Sequence, residues 1–110
     1  MSSLSTHVLD TTHGQPAAGV ALVLKAADGA VLLEGVTNVD GRCPNMPTLA
    51  AGRYALSFAV ADYFRGCGIE LPEPPFLDVV TIDFGVNSEG GHYHVPLLVS
   101  PYGYSTYRGS

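Results

Sequence analysis

Residues 92–100 read "HYHVPLLVS", the segment with the clearest strand pattern in the chain. Successive side chains of a strand point to opposite faces. On that rule Tyr93, Val95, Leu97 and Val99 form one apolar face that suits a sheet packed on a core. His92, His94, Pro96 and Leu98 share the other face. Two imidazoles beside apolar groups suit neither a core nor an ordinary solvated surface. The segment therefore reads as a strand buried on one side and in need of a partial cover on the other.

The same pattern recurs outward from it. Residues 6–11 form a first strand, with Thr6 and Val8 on one side and His7 and Leu9 on the other. Residues 104–108 form a last strand, with Tyr104 and Thr106 on one face and Ser105 and Tyr107 on the other. If these three strands are neighbours, their mixed faces make one patch. Between them lie more short strands and turns. Residues 19–26 carry Val20, Leu22 and Leu24 at intervals of two. Asp28-Gly29 is a strong hairpin signal, and residues 30–37 make the return strand. Asp40-Gly41 is a second tight turn and leads directly to Arg42. A strand over residues 53–60 precedes one short helix over 62–67, with Asp62 at its N-terminus and Gly68 closing it. Pro72-Glu73-Pro74-Pro75 is a stiff loop that cannot join a ladder. Residues 78–86 place Val80, Ile82 and Phe84 on one side. About seven or eight short strands at this spacing predict an all-β antiparallel sandwich or barrel.

The chain has 110 residues, a length that suits a single domain over 1–110. Its formal net charge is −5, with five Lys and Arg, which argues against a nucleic-acid partner. No apolar stretch approaches a membrane span. Residues 1–7 lack the basic-then-apolar layout of a secretory signal, so a cytoplasmic location is expected. Charged residues are only 14% of the chain, which hints that another subunit covers part of the surface. Cys43 and Cys67 form no CxxC motif and read as reduced thiols.

Histidine is the side chain whose ordinary pKa best suits proton transfer near neutrality. His7 and His94 are the leading candidates for such work, with His92 second in rank. His13, Arg42, Arg108 and the aspartates are more simply read as solvated or turn residues on spacing alone. An HxH pair on one strand face could also hold zinc.

Three motifs extend this reading. "STHVLDTTHGQPA" at residues 5–17, "TNVDGR" at 37–42 and "HYHVPLLVSPYGYSTYRGS" at 92–110 resemble the 5-hydroxyisourate hydrolases, transthyretin-like enzymes of urate breakdown. The terminal YRGS, Tyr107 to Ser110, separates that family's pattern from the hormone carrier transthyretin. The resemblance implies a prealbumin-like sandwich of two four-stranded sheets with one short helix. It implies a homotetramer, a dimer of dimers, with active sites in a central channel and the small molecule 5-hydroxyisourate as substrate. By motif match His7, Arg42, His94 and Ser110 are the catalytic set, and His7, Arg42 and Tyr107 bind substrate. Arg108 is expected to pair with the terminal carboxylate or an Asp, and no cofactor or metal is implied. The competing functions are a transthyretin-like carrier of small ligands, a zinc hydrolase and a purely structural module. The carrier plan predicts other residues at the histidine and Arg42 positions.

Overall fold

The computed structural model describes residues 1–109. Eight strands and one helix follow in order: β1 Ser2–Asp10, β2 Gln15–Pro16, β3 Ala21–Ala26, β4 Val31–Val36, β5 Gly52–Ala59, α1 Val60–Gly66, β6 Val79–Val86, β7 Gly91–Ser100 and β8 Gly103–Thr106. They form two four-stranded sheets of order β2-β1-β7-β8 and β4-β3-β5-β6. The expected sandwich with its single short helix is therefore what the chain builds. The alternation of β7 also holds, since Tyr93, Val95, Leu97 and Val99 are all buried. They meet Leu22, Leu24, Leu56, Phe58 and Val80 in one core that also takes in Phe64 of the helix. Burying a Leu, Val or Phe side chain is worth about 1.5–3 kcal/mol each, so this inner layer drives the two sheets together.

Three departures from the expected elements matter. First, the sheets are not wholly antiparallel, because β1 runs parallel to β7. Parallel neighbours need a long connection, and here most of the chain between them supplies it. Second, β1 begins at Ser2 and not at residue 6. Its polar opening hides the fact that Ser2, Leu4 and Thr6 are buried while the residues between them face outward. Third, α1 starts at Val60, with no side-chain cap at Ala59. The Asp78 carbonyl takes the first two amides instead, from Val60 at 3.0 Å and Ala61 at 3.1 Å. Asp62 thus lies inside the first turn and pairs with Arg65 at 3.4 Å.

Asp10 ties the end of β1 to the helix. Its side chain is fully buried. It accepts hydrogen bonds from the His13 amide at 3.0 Å, from Nδ1 of His13, and from the Tyr63 hydroxyl at 2.7 Å. Cys67 stands beside this group, but both Asp10 oxygens are already occupied, so the cluster reads as a structural tie. Burial pushes the Asp10 carboxyl up, yet the bonds from His13 and Tyr63 and the His13 charge outweigh it and hold the pKa below the ordinary value. A depressed folded-state pKa contributes stability above about pH 4 that is lost as pH falls through the lower folded value. Tyr63→Phe is therefore expected to cost about 1.5–3 kcal/mol at pH 7, the usual worth of a hydrogen bond to a charged group. That cost should shrink in acid, as Asp10 protonates. Urea midpoints of both proteins between pH 2 and 7 check this; an equal gap at every pH would show that the carboxylate is not the acceptor that matters.

Candidate active site

The order β2-β1-β7-β8 makes the first, penultimate and last strands neighbours, so their mixed outer faces form one surface. The parallel register sets Ser3 beside His92, Ser5 beside His94 and His7 beside Pro96. Partners in register share a face. Ser3, Ser5 and His7 therefore stand in a row against His92, His94 and Pro96.

Arg42 reaches this surface through its loop. The Asn38 side-chain oxygen accepts from the amides of Asp40 at 3.0 Å and Arg42 at 3.1 Å, and the Asn38 amide donates to the Arg42 carbonyl at 2.8 Å. The loop then docks on β1, with the Val8 amide donating to the Gly41 carbonyl at 2.8 Å and a bridge joining His7 to Arg42. Gly41 has φ +75, and a Cβ there would lie 2.4 Å from the Val8 carbonyl oxygen. Only glycine allows both that backbone conformation and that approach. The "TNVDGR" motif is thus a device for pinning Arg42 beside His7.

The carboxyl end closes the other side. The Gly109 amide donates to the His94 carbonyl at 2.8 Å. A Cβ on Gly109 would stand 2.3 Å from Cδ2 of the His94 ring and 2.9 Å from its Cγ. The chain therefore passes directly against the imidazole, at a distance only glycine permits. The terminal carboxylate lies outside the described residues, and among the described residues Arg108 has no Asp partner. Its guanidinium lies 4.1 Å from the centre of the Tyr93 ring and donates to the His92 carbonyl at 3.4 Å, a stacking role that anchors the tail.

His94 is half-buried. Burial first, then the neighbouring charges of Arg42, His7 and His92, push its pKa below the ordinary histidine value. It is therefore neutral at pH 7 and carries one bare ring nitrogen. Its Nδ1 lies 2.7 Å from Ser5 Oγ, which leaves Nε2 as the ring nitrogen not engaged by that serine. A neutral imidazole beside a fixed guanidinium can take a proton while the cation steadies nearby negative charge.

The structure thus brings together His7, Arg42, His92 and His94. Tyr107 is exposed and lines a cleft of about 250 Å³ with Ile82, Phe84, Tyr93 and Arg108. Ser110 lies outside the described residues. His13 belongs to the Asp10 tie. A cleft of about 1010 Å³ lies away from the histidines, among Ala26, Tyr54, Phe84, Asn87, Tyr93 and Arg108. Sequence reasoning missed Ser3, Ser5 and Asn38. The period-two series Ser3, Ser5, His7 was the signal for the first two, once the strand is known to begin at Ser2.

Fold and site together define a transthyretin-like sandwich that carries imidazoles and a guanidinium on one outer sheet face. The chain belongs to the HIUase/Transthyretin family, whose model matches residues 4–109. It is 56% identical to the 5-hydroxyisourate hydrolase of Mesorhizobium japonicum over 97% of this chain and 91% of that protein. The crystal structure of (S)-allantoin synthase superposes with a TM-score of 0.92 at 39% identity, covering 99% of this chain but only 44% of that longer one. The structure of Klebsiella pneumoniae 5-hydroxyisourate hydrolase superposes with a TM-score of 0.86 at 40% identity and covers 100% of both chains. Among the described residues both cysteines are free, and no helix is long and apolar enough to cross a membrane.

Proposed function

We propose that this protein hydrolyses 5-hydroxyisourate to 2-oxo-4-hydroxy-4-carboxy-5-ureidoimidazoline, a step of urate breakdown. The observation that carries the reading is the gathering of His7, His92, His94 and Arg42 at one sheet face. A hormone-like carrier has no use for that arrangement, although the sandwich itself would serve one, since fold alone does not fix function.

The reaction opens the six-membered ring at an acyl C–N bond. Water is a poor nucleophile at neutral pH, so one imidazole takes its proton as the oxygen bonds to the acyl carbon. Arg42 steadies the developing oxyanion, which a fixed cation does most effectively where water is scarce. The second imidazole gives a proton to the leaving nitrogen as the C–N bond breaks. His7, Arg42, His94 and Ser110 are the catalytic set in this proposal, and Tyr107 joins His7 and Arg42 in binding substrate. The contact of Gly109 with the His94 ring supports including Ser110, the next residue.

The cover for this face is a second dimer in a homotetramer, and the cytoplasm is the proposed location. Half-buried Leu98, on the same strand face as His92 and His94, supports such a partner. Light scattering is expected to give four times the chain mass at micromolar concentration; a monomer there would leave the face uncovered and remove this part of the proposal. The activity is tested by generating 5-hydroxyisourate in situ from urate with urate oxidase and following its ultraviolet absorbance. Faster decay with the protein, unchanged by EDTA, supports the metal-free hydrolase. Decay at the spontaneous rate rejects the function.

A further inference from the structure

Behind His94 runs a chain of short hydrogen bonds that the hydrolytic reading leaves unused. Ser5 Oγ lies 2.7 Å from Nδ1 of His94 and 2.8 Å from Nε2 of His92. Ser3 Oγ lies 2.6 Å from Nδ1 of His92. The chain begins at the half-buried His94 and ends at His92 and Ser3, both exposed. Both nitrogens of His92 are engaged, and the parallel register of β1 and β7 holds each serine opposite its histidine.

A hydroxyl carries one proton. Ser5 touches two ring nitrogens, so it donates to one and accepts from the other. The two imidazoles therefore cannot choose tautomers independently. When Ser5 donates to Nε2 of His92, it accepts from Nδ1–H of His94, and Nε2 of His94 is a bare lone pair. His92 then donates through Nδ1 to Ser3. When Ser5 donates to His94 instead, each bond in the row reverses, and Nε2 of His94 bears the hydrogen. One arrangement makes His94 a base and the other an acid.

We propose that Ser5, His92 and Ser3 form a proton relay that sets the tautomer of His94 and carries protons between its ring and solvent. The proposal rests on the hydrolytic reading and deepens it by assigning His94 as the base. One proton of the attacking water moves to Nε2 of His94 as the oxygen bonds to the acyl carbon. The Nδ1 proton of His94 passes to Ser5, whose own proton passes to Nε2 of His92. His92, now cationic, releases its Nδ1 proton through Ser3 to solvent, and the row resets when Nε2 of His94 gives its proton to solvent, each hydrogen shifts back and one re-enters through Ser3. The leaving nitrogen takes its proton from His7 as the C–N bond breaks, and His7 recovers one from solvent. The second water proton leaves when the new carboxylic acid ionises. Moving the charge outward matters here, because the Arg42 guanidinium already acts on His94 and a second cation at that ring is costly. Ser5 and His92 are positioning residues in this scheme, since they act through His94.

Ser5→Ala breaks the relay at its centre and removes only a hydroxyl from an outward-facing strand position. It is expected to lower kcat by about ten- to a hundredfold with KM little changed, as loss of the hydrogen-bond partner that orients a metal-bound imidazole does. Exogenous imidazole buffer should restore much of that loss by accepting protons directly, and Ser5→Thr, which keeps a hydroxyl, should recover most of it. A purely structural serine responds to neither rescue. Nitrogen NMR of the histidines gives a second reading without substrate. In the parent protein His92 and His94 should share one tautomeric state; in Ser5→Ala they should uncouple. An unimpaired Ser5→Ala, an impairment that ignores buffer, or independent tautomers in the parent would each overturn the relay. Coupled histidines in a protein that does not accelerate 5-hydroxyisourate decay would instead reject the hydrolase reading and leave the relay standing as a proton path.

Discussion

His94→Asn is expected to lower turnover by about two to four powers of ten, the usual worth of general acid–base help. Asparagine is close in size and keeps a polar group near Ser5, so the sandwich should persist, with an unchanged circular dichroism spectrum and subunit mass. The pH profile gives the sharper signature. Burial, followed by the charges of Arg42, His7 and His92, depresses the His94 pKa, so the neutral base is the dominant form at pH 7. The kcat/KM of the parent should therefore hold through neutrality and fall only as pH drops through a value below the ordinary 6.5. That limb should vanish in His94→Asn, leaving a slow, flatter profile. His7→Asn should also be slow but should keep the limb, because its base is intact. Rates near the parent's in both variants would reject the acid–base assignment.

Gly109→Ala is expected to lower kcat by about a hundredfold without removing any reacting group. The added methyl would lie 2.3 Å from Cδ2 of His94, far inside van der Waals contact. Something must move. The Gly109 amide is bonded to the His94 carbonyl, which fixes the backbone of the tail relative to β7. The ring is the softer part, and rotating it breaks the 2.7 Å contact of Nδ1 with Ser5. Misplacing a catalytic group by about 1 Å can cost that hundredfold even when its chemistry is intact. The His94 ring signals should shift and lose their coupling to His92, while the urea midpoint changes little. A parent-like rate would mean that the tail yields and the ring stays, so that Gly109 holds nothing in place.

The readings from sequence succeed where a face repeats every two residues. Tyr93, Val95, Leu97 and Val99 are buried as expected, and so are Val20, Leu22 and Leu24, because one-sided burial imposes that period directly. They fail where the stabilising partner is remote. The helix start was misplaced because its first amides are satisfied by Asp78, eighteen residues beyond Val60 in the chain, and not by a local cap. The first four residues of β1 were missed because serines carry little strand signal, although Ser2 is almost wholly buried against Leu49.

The site divides in the same way. The motifs mark His7, Arg42 and His94 as one group, and the period of two puts His92 and His94 on one face. The parallel pairing of β1 with β7 is not written locally, because strand pairing is set by sheets closing over a common core and not by local preference. That direction places Ser5 between two imidazoles and His7 beside Arg42. An antiparallel pairing of the same two strands would reverse the order of the serines along the histidines and break the row of hydrogen bonds.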